Sequence, residues 1–192
     1  MLCFLRASTD HPRVFSSPGK NGLEYPEAGT NPPNKVPEVW MQKYKEVKAA
    51  GLIPDLAVPK LDTTQGLPVY PSGTPDSLPC NWEVSQCFLE DSLRFAPDGT
   101  VVITADDGPT EAVKELIPTL TKLNLSMTHF LIGSQIVWCP ECLQALVETQ
   151  PQQHFGSHSF THVQLATFTD EQVVADLGWT NQLVSGPKGM RA

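Results

Sequence analysis

The chain has 192 residues, 40% hydrophobic and 18% charged. That length holds one domain with a sizeable core, or a smaller domain with a long extension, and the composition is that of a globular chain rather than a disordered or membrane one. Lys and Arg number 13 against 21 Asp and Glu, a net charge of −8, which disfavours nucleic acid and anionic membrane surfaces as partners.

No apolar run approaches the roughly 20 residues of a membrane-spanning helix, so no transmembrane segment is expected. The opening stretch, Met1 to Asp10, has few apolar residues before Arg6 and is not expected to act as an export signal. Of the 18 prolines, 13 precede Val101 and 5 follow it. Residues up to about Asn34 read as an extended, poorly ordered lead-in. A helix is expected next, with Pro37 at its first position, Gly51 at its stop, and Trp40, Tyr44 and Val47 on one apolar face. From Ile53 to Pro79, abundant Pro, Gly, Ser and Thr read as a wrapping loop or linker.

The pattern changes at Asp98-Gly99. A turn there leads into Val101-Val102-Ile103-Thr104, a β-branched run expected to be a buried parallel strand. Residues Glu111 to Leu123 have helical character, with Pro118 as a kink or start. A second strand is expected over Leu125 to Ile132, a helix over Pro140 to Thr149 and a third strand over His154 to Ser157. Thr169 and Gln172 form a capping box, followed by Val173, Val174, Leu177, Leu183 and Val184 on one helical face up to Gly186. Strand and helix alternate three times, which argues for an α/β domain with parallel strands.

The cysteines are Cys3, Cys80, Cys87, Cys139 and Cys142. An odd count establishes no disulfide framework, although Cys80 and Cys87 could pair in an exported protein. Cys139-Pro-Glu-Cys142 has C-x-x-C spacing but lacks the second pair usual in zinc sites. A redox role for it is the weakest reading, because Pro140-Glu141 looks like a helix start rather than a tuned thiol site.

Two segments carry chemistry. Thr104-Ala105-Asp106-Asp107-Gly108-Pro109 sets adjacent carboxylates at the C-terminal end of the first strand, where α/β folds build their sites. By itself it also reads as a turn. His158-Ser159-Phe160-Thr161-His162 places two histidines four apart, within reach of one ion if the segment turns helically. By itself it also reads as surface or core histidines; His129, inside an apolar strand, is read as core, and His154 stays open. Jointly, one or two carboxylates and two histidines make an O,N,N set suited to Zn²⁺ or a similar divalent ion. A second carboxylate beside the ion could take a proton from water, so the pattern predicts metal-assisted hydrolysis.

Thr104–Pro109 resembles the T-F-D-D-G-P motif of NodB-type polysaccharide deacetylases, carbohydrate esterase family 4, and His158–His162 resembles their H-[ST]-x-x-H motif. The stretch Phe130 to Ile136 is similar to their F-F-V-V-G-S-R-V segment, and Glu171 to Leu183 to the helix that follows the second motif in fungal chitin deacetylases. The Pro-rich segment from about Glu27 and the two cysteines before the first motif also resemble that fungal group. Ala105 stands where an aromatic is usual, and His129 where Phe is common.

The resemblance implies a partial, deformed (β/α) barrel over residues 98–192, preceded by a Pro-rich extension with one short helix over residues 1–97. It implies that Asp106 is the general base, that Asp107, His158 and His162 hold one divalent ion, zinc or cobalt, and that Arg191 orients the base. Water then attacks the acetamide carbonyl of an N-acetylglucosamine unit, and the products are acetate and a free amine. Chitin or its oligomers are the implied partners, and secretion or the cell wall the implied location. The family's later motifs, including the Pro-Tyr after the arginine and an acid histidine, are not found up to Ala192, so the chain is expected to carry about the first half of the catalytic domain. The alternative is a catalytically inactive fragment or pseudoenzyme that binds metal or carbohydrate.

Overall fold

A computed structural model of the chain describes residues 25–29, 31–74, 80, 86–90, 92 and 94–185. These pack as two units, one holding residues 36–98 and 164–174, the other residues 2–35, 99–163 and 175–192, each as far as described.

The first unit contains helix α1 (Glu38–Ala49). Pro37 stands at its N-cap rather than at its first position, so the helix starts one residue later than expected, and Gly51 takes φ +71 just after its end. The expected stripe of Trp40, Tyr44 and Val47 is its half-buried face, and no residue of α1 is fully buried. Lys48 Nζ donates to Asp170 Oδ2 at 2.7 Å, and the Tyr44 hydroxyl donates to the same oxygen. The stretch expected to be loop or linker contains an antiparallel ribbon of β1 (Lys60–Leu61) and β2 (Pro68–Val69). Its turn is closed by Asp62 Oδ1, which accepts the Thr64 N–H at 2.7 Å. Cys80 and Cys87 form a disulfide, S–S 2.04 Å.

The second unit contains β3 (Thr104–Gly108), α2 (Val113–Leu123), β4 (Thr128–Leu131), α3 (Gly133–Trp138), α4 (Pro140–Glu148), β5 (His154–Ser157) and the end of α5 (Asp170–Ser185). Strands β3, β4 and β5 form a parallel sheet in that order, so the α/β class read from the alternation holds. Helix α2 runs through Pro118 and ends on Asn124, which adopts the left-handed conformation at φ 53. Pro140 occupies the first turn of α4, where its missing N–H costs nothing. Leu120, Leu131, Ile136, Leu143, Leu146, Phe155, Phe160, Trp179 and Leu183 build one core between sheet and helices, each at most 4% exposed. Phe130 lies opposite Gly156 in the register. A Cβ on Gly156 would stand 2.6 Å from Phe130 Cδ1, so the ring requires glycine there.

Three expectations need correction. The first strand begins at Thr104, not Val101; Val101, Val102 and Ile103 are 85%, 60% and 42% exposed. They have strand propensity, but β3 lies at an edge of the described sheet, and its pairing with β4 starts only at Thr104↔Thr128. The buried face of α5 is Ala175, Asp176, Trp179, Thr180, Leu183 and Val184, while Leu177 is exposed. The buried phase is set by two polar residues that apolar periodicity overlooks. The lead-in is engaged at Tyr25, whose ring meets Trp179 edge-on at 5.8 Å, and just past its end Lys35 O accepts from Trp179 Nε1 at 2.8 Å. The capping box at α5 forms as expected, with Thr169 N–H to Gln172 Oε1 at 2.9 Å and Gln172 N–H to Thr169 Oγ1 at 3.3 Å.

Candidate metal centre

Along β3 the register runs Ala105↔His129 and then Gly108↔Leu131. Three steps on β3 thus match two on β4, which is a bulge carrying Asp106 and Asp107. In a regular strand these neighbours would face opposite sides. The bulge and the left-handed φ of 68 at Asp107 break that alternation where the two carboxylates stand.

His158 directly follows β5, and its N–H donates to Leu131 O at 2.9 Å, continuing the ladder from β4. His162 follows a tight loop in which Ser159 and His162 take φ of 64 and 58. Ser159 Oγ accepts the His162 N–H at 3.1 Å. Asp107, Ser159 and His162 are thus three non-glycine residues in a conformation that costs roughly 1–2 kcal/mol each. Such geometry persists where the surroundings enforce it, and it gathers at functional sites.

One oxygen, Asp107 Oδ1, lies 3.1 Å from His158 Nε2 and 3.0 Å from His162 Nε2. The imidazoles stack with centroids 5.2 Å apart. The three ligand atoms all lie within 4.8 Å of one another. Two ring nitrogens aimed at one carboxylate oxygen are repulsive unless a proton or a cation stands between them. The donor set, one carboxylate oxygen and two imidazole nitrogens, fits a divalent transition metal with further positions open. Asp106 is exposed on the strand immediately before Asp107. Arg191 lies outside the described residues.

The loop between the histidines is held from inside the unit. Gly133 N–H donates to Ser159 O at 2.9 Å and Ser134 N–H to Phe160 O at 3.0 Å. A Cβ at Gly133 would stand 2.4 Å from Phe160 Cδ2 and 2.7 Å from Thr180 Oγ1, so α3 can approach the loop only with glycine there. Asp176, fully buried on α5, accepts hydrogen bonds from the Phe160 N–H, the Thr161 N–H and the Thr161 hydroxyl. Sequence reasoning singled out neither Asp176 nor Thr180. The signal was available: two polar residues four apart on a helix, in phase with Trp179 and Leu183.

His129 is buried at 2% exposure, as expected of a core residue. Burial pushes its pKa below the usual histidine value, with partial opposition from a hydrogen bond to Gln153. Cys139 and Cys142 are bonded to each other, S–S 1.98 Å. Glu111 and Glu141 oxygens lie 3.4 and 3.2 Å from Cys139 Sγ. These four residues are a second group of ligand-type side chains, apart from the triad.

The sheet is parallel within an α/β unit, and Asp107, His158 and His162 form a group that could hold a metal ion. Residues 95–188 match the family described as polysaccharide deacetylase. Chitin deacetylase 3 of Cryptococcus neoformans var. neoformans is 34% identical over 174 residues, covering 87% of this chain and 40% of the relative. Chitin deacetylase 1 of Cryptococcus neoformans var. grubii is 29% identical over 170 residues, covering 87% of this chain and 34% of the relative. The chain therefore spans well under half the length of these curated relatives. Among solved structures, a family 4 carbohydrate esterase from Streptomyces lividans in complex with acetate aligns at TM-score 0.43 and 28% identity, covering 49% of this chain and 48% of that one.

Proposed function

We propose that this chain takes part in metal-dependent N-deacetylation of a chitin-like polymer of N-acetylglucosamine. The single observation that carries the reading is the convergence of His158 and His162 on one oxygen of Asp107, in a chain whose relatives are named chitin deacetylases. Asp107, His158 and His162 would hold a divalent ion, zinc or cobalt. Such an ion, when bound, polarises an acyl oxygen and acidifies water at neutral pH.

The chain's own residues do the rest. Asp106, adjacent to the triad and open to solvent, would take the proton of the attacking water. Arg191 would orient Asp106. Asp106 and Asp107 are both exposed, which accords with a polymer substrate rather than a small enclosed ligand. Secretion to a cell wall accords with this substrate and with the Cys80–Cys87 and Cys139–Cys142 bonds. The same reading divides the chain near residue 97 into an extension and the first part of the deacetylase domain. Among the described residues no helix is long and apolar enough to cross a membrane.

The test measures acetate released from N-acetylglucosamine oligomers by the full chain with Zn²⁺ or Co²⁺, after chelation, and with Asp106→Asn. The reading expects release that stops on chelation and falls about 10²–10⁴-fold in Asp106→Asn. Release that survives chelation overturns it. Binding of metal or oligomer without acetate release moves the function to the non-catalytic, binding alternative.

A further inference from the structure

Asp176 has no part in the chemistry proposed above, yet it is 0% exposed on α5. One of its oxygens accepts the Phe160 N–H at 2.5 Å. The other accepts the Thr161 N–H at 3.2 Å and the Thr161 hydroxyl at 2.7 Å. All three donors belong to the turn between His158 and His162. Burying an acidic side chain is unfavourable unless its acceptors are met. An apolar residue would fill the same helical phase, in line with Leu183 two turns on, without that demand. This position instead holds a group whose three side-chain bonds all go to one loop.

The loop needs such a hold. Ser159 and His162 are left-handed, and the ladder from β4 ends at the His158 N–H. The N-terminus of α3 fixes the carbonyls of Ser159 and Phe160 from one side. Asp176 fixes the N–H groups of Phe160 and Thr161 from the other. We infer that Asp176 is a positioning residue for the two histidine ligands, locking the 158–162 loop so that both Nε2 atoms converge on Asp107. The inference rests on the metal reading of the triad, and its test separates the two.

Asp176→Asn keeps the volume and turns one acceptor oxygen into an NH₂ group facing a loop donor. Thr161→Val removes one hydroxyl and carries the test if Asp176→Asn does not fold. Leu146→Ala, in the fully buried core of α4, lowers stability without touching the loop and serves as control. Each full-length variant is titrated with Co²⁺ by calorimetry and by d–d absorption, and amide exchange is followed at Phe160 and Thr161. Asp176→Asn is expected to weaken Co²⁺ about 10–100-fold and to change the spectrum, the usual effect of losing a group that orients a ligand. It also speeds exchange at both amides. Thr161→Val gives the same changes, smaller. Leu146→Ala lowers the melting temperature but leaves affinity and spectrum as in the parent. Parent-like Co²⁺ affinity and spectrum in Asp176→Asn overturn the inference, as does an equal loss of affinity in Leu146→Ala. If the parent itself binds no Co²⁺, the metal reading fails. Asp176 is then judged on exchange: unchanged protection at Phe160 and Thr161 in Asp176→Asn overturns its positioning role, and lost protection supports it.

Discussion

Asp107 reaches the candidate site from an edge of the described sheet, on a strand whose residues are mostly exposed, whereas His158 and His162 flank a loop whose middle residues, Phe160 and Thr161, are 0% and 2% exposed. The carboxylate side is shaped by backbone conformation, a bulge and one left-handed residue. The histidine side is shaped by packing, with Gly133, Thr180 and Asp176 all pressed onto the loop. Ligand chemistry and fold stability are therefore separable on the first side and coupled on the second. Substitutions that respect or violate that division test it directly.

The largest effect is expected at Asp107. Asp107→Ala removes the oxygen on which both histidines converge and should weaken Zn²⁺ or Co²⁺ by more than about 100-fold, beyond the usual loss for a second-layer partner. Its side chain is 61% exposed, and the left-handed φ of 68 suits Ala less well than Asp, so the metal-free melting curve should move by no more than about 1 kcal/mol. Calorimetry with metal and thermal melting without it read the two quantities separately. A large loss of metal-free stability in Asp107→Ala would erase the contrast between the two sides.

Gly133→Ala probes the coupled side. The added methyl meets Phe160 at 2.4 Å and Thr180 at 2.7 Å, and an overpacked core typically loses about 1–3 kcal/mol. The displaced Phe160 carries the loop with it, so metal affinity should fall together with the denaturation midpoint. A stable Gly133→Ala with parent affinity would mean that the loop adjusts freely and that its packing does not set the histidines.

Much of the frame was legible because it follows period and punctuation. His154–Ser157 is the expected strand residue for residue, Pro140 and the Thr169/Gln172 box mark helix starts as their chemistry demands, and His129 is core. The residues that could form an O,N,N set were visible as types and spacings. What could not be read was tertiary. Nothing local says that Val101–Ile103 precede the paired part of β3, or that α5 turns Asp176 and Thr180 inward instead of Leu177. Apolar periodicity assigns faces by side-chain type, and a buried acid whose bonds all end on a distant loop violates that rule for a tertiary reason. The bulge at Asp106-Asp107 is likewise a product of pairing with β4, and the adjacent acids alone suggest a turn.

The smallest expected effect lies beneath the site, at His129 on β4. Its ring packs beside Phe155 at 5.9 Å, and its Nε2 lies 3.4 Å from Gln153 Oε1. That oxygen already accepts the Met127 N–H at 3.0 Å, so it is an acceptor, and the neutral ring must donate from Nε2. Burial lowers the folded-state pKa below the ordinary 6.5. The unfolded chain therefore takes up a proton at this residue before the folded one does. The stabilising contribution of neutral His129 is full above about pH 6.5 and is lost as pH falls through the lower folded-state value. His129→Phe keeps an aromatic on the strand and removes the titration. Its stability loss between pH 7 and pH 5 should be smaller than the parent's. Urea denaturation of both proteins across that range checks it, and parallel curves would mean that burial of His129 does not carry the acid sensitivity of this unit.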